Sequence, residues 1–109
     1  MLWYKHLYVG ERAEKKRFSI IQRLRSGDIP AKAYVIVFPA NPSNLLDIWE
    51  ASQICSQEWE ERRKESGQEL LILGIAWGYE DALNLAGQMV NEVYQATGGF
   101  DLKTYFLGQ

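Results

Sequence analysis

The chain has 109 residues, 47% hydrophobic and 24% charged, which fits one ordinary globular domain and excludes a disordered chain. A lone cysteine, Cys55, excludes an internal disulfide and fits a reducing, cytoplasmic compartment. No signal peptide is read, and no apolar run approaches the ~18 residues of a membrane span.

The net charge of −2 hides an asymmetry. Residues 1–32 hold eight Lys/Arg against three acids, a balance of +5. Residues 33–109 hold four against eleven, a balance of −7. Such a division marks either an anion-binding face or two halves that attract each other.

In chain order, residues 1–10 (MLWYKHLYVG) are rich in aromatics and read as a short edge strand or an extended arm. His6 is the only histidine and has no ligand partners at metal-binding spacing. Residues 11–26 read as a helix, with Glu11 and Glu14 in the first turn and Arg23 and Arg25 in the last. Ala13, Phe18, Ile20, Ile21 and Leu24 can share its apolar face, and Gly27 suits its end. Its basic residues offer a nucleic-acid surface or an ordinary solvated face; the acidic overall balance favours the second and makes nucleic acid an unlikely partner.

Lys32 to Phe38 is β-branched and aromatic, and the spacing predicts a covered strand over 33–38. Asn41, Pro42, Ser43 and Asn44 then supply helix-start signals, so a helix is expected over 43–65. Its charged end, with Glu58–Arg62 and Glu60–Lys64 pairs, reads as solvated. Glu69 to Ala76 is a nearly continuous apolar run, which predicts a second central strand over 69–76. Trp77-Gly78 breaks it, and apolar residues then recur at three- and four-residue spacing, predicting a helix over 79–97. Gly98-Gly99 stops that helix, and the aromatic tail can add an edge strand or pack as an arm.

These elements make an α/β fold. Strand 33–38, helix 43–65 and strand 69–76 form a βαβ unit whose two central strands are parallel. Parallel strands bring both following loops to one sheet edge, where open α/β sheets bind ligands. That edge would gather Asn41, Ser43 and Asn44 with Trp77, Gly78 and Tyr79, a candidate site for a small anion or phosphate. The signal is weak. Gly74 and Gly78 lack the third glycine of a dinucleotide fingerprint, and Glu80 and Asp81 would repel a phosphate. No catalytic constellation, cofactor motif or metal-ligand cluster is read. Cys55 reads as a small buried hydrophobe.

The segments YKHLYVG, SNLLDI and GIAWGYEDALNLAGQMVNEVYQATGGFDLKTYF together resemble a group of small single-domain proteins of anaerobic Gram-positive bacteria. The resemblance spans nearly the whole chain. It implies a stand-alone bacterial domain and carries over no catalytic residue.

Helix 79–97 has a broad apolar face: Ala82, Ala86, Met89 and Val93 on one line, Leu83, Val90 and Tyr94 beside it. Gly87 interrupts it, although glycine inside a helix costs about 1 kcal/mol against alanine. A homodimer is therefore expected, with Met89, Val90, Val93 and Tyr94 at the interface. The rival is that the two aromatic arms fold over this helix and complete the core. The functional expectation is a non-enzymatic domain acting through self-association or protein–protein interaction. A small-ligand site at the loop edge is the alternative.

Overall fold

The computed structural model describes residues 1–41, 43–55, 61 and 69–108. Among them, four strands form one mixed sheet: β1 (Leu2–Val9), β2 (Ala33–Val37), β3 (Asp47–Glu50) and β4 (Leu71–Trp77), in the spatial order β1-β4-β2-β3. The helices whose bounds lie among the described residues are α1 (Arg17–Ser26), the single turn α2 (Ala51–Ile54), α3 (Tyr79–Thr97) and α4 (Leu102–Leu107); Glu61 is also helical. The mixed α/β class expected from the sequence is present.

The direction of the central pair differs from the expectation. β2 and β4 run antiparallel, with Ala33 opposite Trp77 and Ile36 opposite Gly74. The parallel neighbour of β4 is the N-terminal strand β1, so the first aromatic segment is an edge strand. The cause lies in residues 38–50. The Asn41 side chain accepts a hydrogen bond from the Ser43 amide at 3.0 Å, and the Asn41 carbonyl accepts one from the Asn44 amide. Asn41 thus closes a turn on itself, as asparagine readily does, and the chain reverses where a helix was expected to start. Residues Asp47–Glu50 return antiparallel to β2 as β3. Their apolar pair alternates: Ile48 packs toward α3 and Trp49 toward the opposite layer, the period of a strand. Of the expected helix 43–65, only Ala51–Ile54 is helical before Cys55, while residues 56–60 and 62–68, with their charged pairs, lie outside the described residues. Because β2 opposes both β3 and β4, those two strands are parallel to each other with β2 between them. The βαβ unit expected between strands 33–38 and 69–76 is therefore absent, since those two strands run antiparallel.

Two apolar layers sandwich the sheet. On one face α1 and α2 cover Val35, Val37, Ile72 and Ile75 through Ile20, Leu24, Ala51 and Ile54. α1 begins at Arg17, later than expected, after a 3-10 turn at Glu14–Lys16. Phe18 points away from this core and is 79% exposed. On the other face α3 and α4 cover Ile36 and Leu73 through Leu85, Met89, Val93 and Phe106. Leu73 and Gly74 both face this second layer, so β4 breaks its own alternation there. β1 answers with a bulge: Trp3 pairs with Ile72, but Tyr8 is the next to pair, with Gly74. A side chain at Gly74 would press on Leu85 at 3.2 Å and on the Tyr8 carbonyl at 3.3 Å, so glycine lets β1 and α3 approach.

The C-terminal tail is a helix and not a strand. The Asp101 carboxylate caps α4 by accepting from the Thr104 amide at 3.3 Å. Phe106 is then fully buried against Tyr4, Tyr8 and Phe38.

Candidate association surface

The antiparallel pairing separates the residues expected to share one loop edge. Asn41, Ser43 and Asn44 follow β2 and lie beyond its Val37 end, whereas Trp77, Gly78 and Tyr79 lie at its Ala33 end. An open cleft of about 640 Å³ does occur at the Val37 end, lined by Phe38, Pro39, Asp47, Trp49 and Lys103 among others; none of the six expected ligand residues lines it.

At the Ala33 end the Trp77 and Gly78 amides are already engaged. Asp81, only 4% exposed, accepts from the Trp77 amide at 2.9 Å and from the Arg12 amide at 3.3 Å. The Gly78 amide donates to the Lys32 carbonyl at 2.7 Å. Asp81 sits three residues after Gly78, the position from which a capping-box acid reaches back over a helix start. Its charge also favours that end of the helix dipole. A small anion would meet a buried carboxylate where the phosphate site was expected. This knot was missed from the sequence, although the acid three residues after the helix-opening glycine is its signal.

The basic segment is similarly occupied. Arg12 lies 3.7 Å from Glu80, Arg17 3.4 Å from Glu14 and Arg23 3.2 Å from Asp28. The Lys16 ammonium stands 4.3 Å above the Trp77 ring, and the Arg25 guanidinium 5.5 Å from Trp3. Each exposed pair contributes little stability, but together they direct these cations to partners within the chain.

The aromatic arms meet α3 along one flank. Tyr8 donates to the Glu92 carboxylate at 2.5 Å, and Tyr105 donates to the same oxygen at 3.1 Å. Tyr4 donates to the Phe106 carbonyl at 2.8 Å. Burial, then the hydrogen bond and charge of Glu92, hold the Tyr8 phenol far above its ordinary pKa; burial also raises that of Tyr4. The Tyr8 and Tyr4 phenols remain protonated donors near neutral pH, so they fasten β1 to α3 and to α4. His6 stands at the edge of this cluster, 5.8 Å from Tyr4, and is exposed. Among the described residues no cluster of His, Cys, Asp and Glu could hold a metal ion. Cys55 is buried, as its apolar setting implies.

The expected interface therefore divides. Met89 and Val93 are 0% exposed within this chain's own core, and the arms help to cover them. They face inward onto Ile36 and Leu73 of the sheet, and Tyr4 of β1 and Phe106 of α4 complete that layer. Val90 is half-buried at its rim, and Tyr94 is exposed. The surface that remains is the second line of α3: Tyr79, Leu83, Gly87, Val90 and Tyr94. At 100° per residue these share one flank, opposite the flank that Asp81 and Glu92 tie to β1. Tyr79 touches Tyr34 of β2 at 5.9 Å, Leu83 is 52% exposed, and Phe100 stacks on Tyr94 at 5.2 Å.

Two features of this flank are unusual for a solvated helix. Residues 82–100 hold one charge, Glu92, in a chain where about one residue in four is charged. Gly87 is exposed, has no positive φ, and an added Cβ there would meet nothing within 4 Å. Among the described residues, neither backbone conformation nor packing calls for glycine at that position. Comparison with protein-family models, curated proteins and solved structures gives no match, so the surface is read from its own geometry.

Proposed function

We propose that this chain is a non-enzymatic cytoplasmic domain that works by protein association, through the outer flank of α3. The observation that carries the reading is the apolar line Leu83, Val90 and Tyr94, extended by Phe100, on a stretch of α3 whose one charge after Asp81 is Glu92, on the opposite flank. Depletion of charge around exposed aromatic and aliphatic residues is the mark of an interface core. A solvated helix face gains from charged residues and from i,i+4 ion pairs, and this one has no such pair and a charge only at its end, Glu80. The cytoplasmic placement is supported by the single, buried cysteine.

Sedimentation equilibrium tests the reading. The expected result is reversible association that weakens at least tenfold in Leu83→Glu and Tyr94→Glu, with the far-ultraviolet circular dichroism unchanged. Association that survives both substitutions would place the interface elsewhere and sink this assignment of the surface.

A further inference from the structure

Given that reading, we infer that the partner of this flank is a second copy of the same chain, with the two α3 helices antiparallel and Gly87 of each receiving Val90 of the other. The spacing of Leu83, Gly87, Val90 and Tyr94 is four, three and four residues, the seam of a two-helix coiled coil. In an antiparallel pair centred between Gln88 and Met89, Leu83 of one copy meets Tyr94 of the other, and Gly87 meets Val90. Each layer then joins a small or medium side chain to a larger one. The open space over Gly87 is filled by a residue from outside the chain, which accounts for a glycine that the fold itself does not require.

A parallel pair is the worse solution. It would set Gly87 against Gly87 and leave a void. It would also set Glu80, which continues the seam seven residues before Gly87, against its own copy. The antiparallel pair moves Glu80 beside Thr97 and opposes the two helix dipoles favourably. A partner of strong charge has little to recognise here, because the one charge of the flank, Glu80, stands at its end and 3.7 Å from Arg12. A copy of itself in the antiparallel pair keeps the two Glu80 side chains at opposite ends.

The test combines equilibrium and distance measurements. Sedimentation from roughly micromolar to millimolar concentration is expected to give a monomer–dimer equilibrium. Gly87→Leu should raise the dissociation constant at least tenfold while the monomer stays folded, since its own chain leaves that space open. Gln88 and Gln95 are both exposed and occupy the same heptad position one repeat apart. Spin labels at Gln88→Cys or Gln95→Cys, one site per sample, separate the orientations, with the wild type and its buried Cys55 as labelling control. An antiparallel pair puts the two copies of position 88 about 2 Å apart along the axis and those of position 95 about 20 Å apart. Position 95 must therefore report the clearly longer distance. Equal distances at both sites would overturn the antiparallel pairing while leaving the flank as the interface. A monomer throughout the concentration range would overturn the second copy as partner. A dimer indifferent both to Gly87→Leu and to Leu83→Glu would overturn the surface itself.

Discussion

Gly10 and Asp81 are so close that a Cβ on Gly10 would land on the Asp81 carboxylate, 2.6 Å from its Cγ. The contact joins the end of β1 to the first turn of α3, and it exists because the carboxylate turns inward to collect two backbone donors. Gly10 itself donates to the Ile75 carbonyl at 2.8 Å, so neither residue can withdraw without losing a hydrogen bond.

Asp81→Ala is expected to destabilise the fold by about 2–4 kcal/mol, because the Trp77 and Arg12 amides lose their acceptor in a part-buried site. Gly10→Ala should also destabilise, through overlap with the carboxylate. Combining them should cost less than the sum of the single effects, since removing the carboxylate relieves the overlap. Urea unfolding of the four proteins measures this cycle; full additivity would mean that the two residues act separately.

The two apolar lines of α3 should respond differently to truncation. Met89→Ala empties a fully buried site and should cost about 2–5 kcal/mol. Leu83→Ala, on the exposed flank, should stay within about 0.5 kcal/mol when the protein is kept dilute enough to be monomeric. Similar losses at both positions would show that Leu83 is part of the monomer's core.

Gly87→Ala should stabilise the monomer by about 0.8–1 kcal/mol, the helix-propensity difference, because nothing opposes the added methyl group. The measurement is thermal or urea unfolding at low protein concentration. A loss of stability there would mean that the glycine serves the monomer after all.

Alkaline pH should loosen the attachment of β1. Tyr8 and Tyr4 have folded pKa values raised above the ordinary phenol value of 10.0. Below pH 10 both folded and unfolded states keep these phenols protonated, so their contribution is fully present. As pH rises past 10 the unfolded chain ionises first and stability falls. The advantage of the wild type over Tyr8→Phe should therefore be constant near neutrality and shrink above pH 10. Unfolding curves from pH 7 to about 11 check the sign; a gap that widens with pH would contradict it.

Much of this architecture is legible along the chain. The run 69–76 and the periodic segment 79–97 correspond to β4 at Leu71–Trp77 and α3 at Tyr79–Thr97. Continuous burial and a 3.6-residue period are local signals, and glycines mark both helix ends: Gly78 at φ 90 and Gly98 at φ 75. Strand 33–38 is read for the same reason. The segment Asp47–Glu50 is not, because a short apolar stretch after a turn suits a helix or a strand equally. The tertiary pairing decided the matter: after the turn at Asn41, Asp47–Glu50 lie along the edge of β2 as a strand.

The sequence by itself determined the class of fold, the positions of the central strand β4 and of the longest helix, and the width of the apolar face on α3. It could not determine strand direction, since a strand has the same side-chain alternation whichever way its neighbour runs. Nor could it divide that apolar face into a buried line and an exposed one. Met89 and Val93 went inside, and Leu83 and Tyr94 stayed outside, because the first line of α3 lies on Ile36 and Leu73 of the sheet while β1 and α4 close beside it. That closure depends on Tyr8 and Tyr105 meeting Glu92 across 84 and 13 residues of chain, a contact that exists only once the chain has folded.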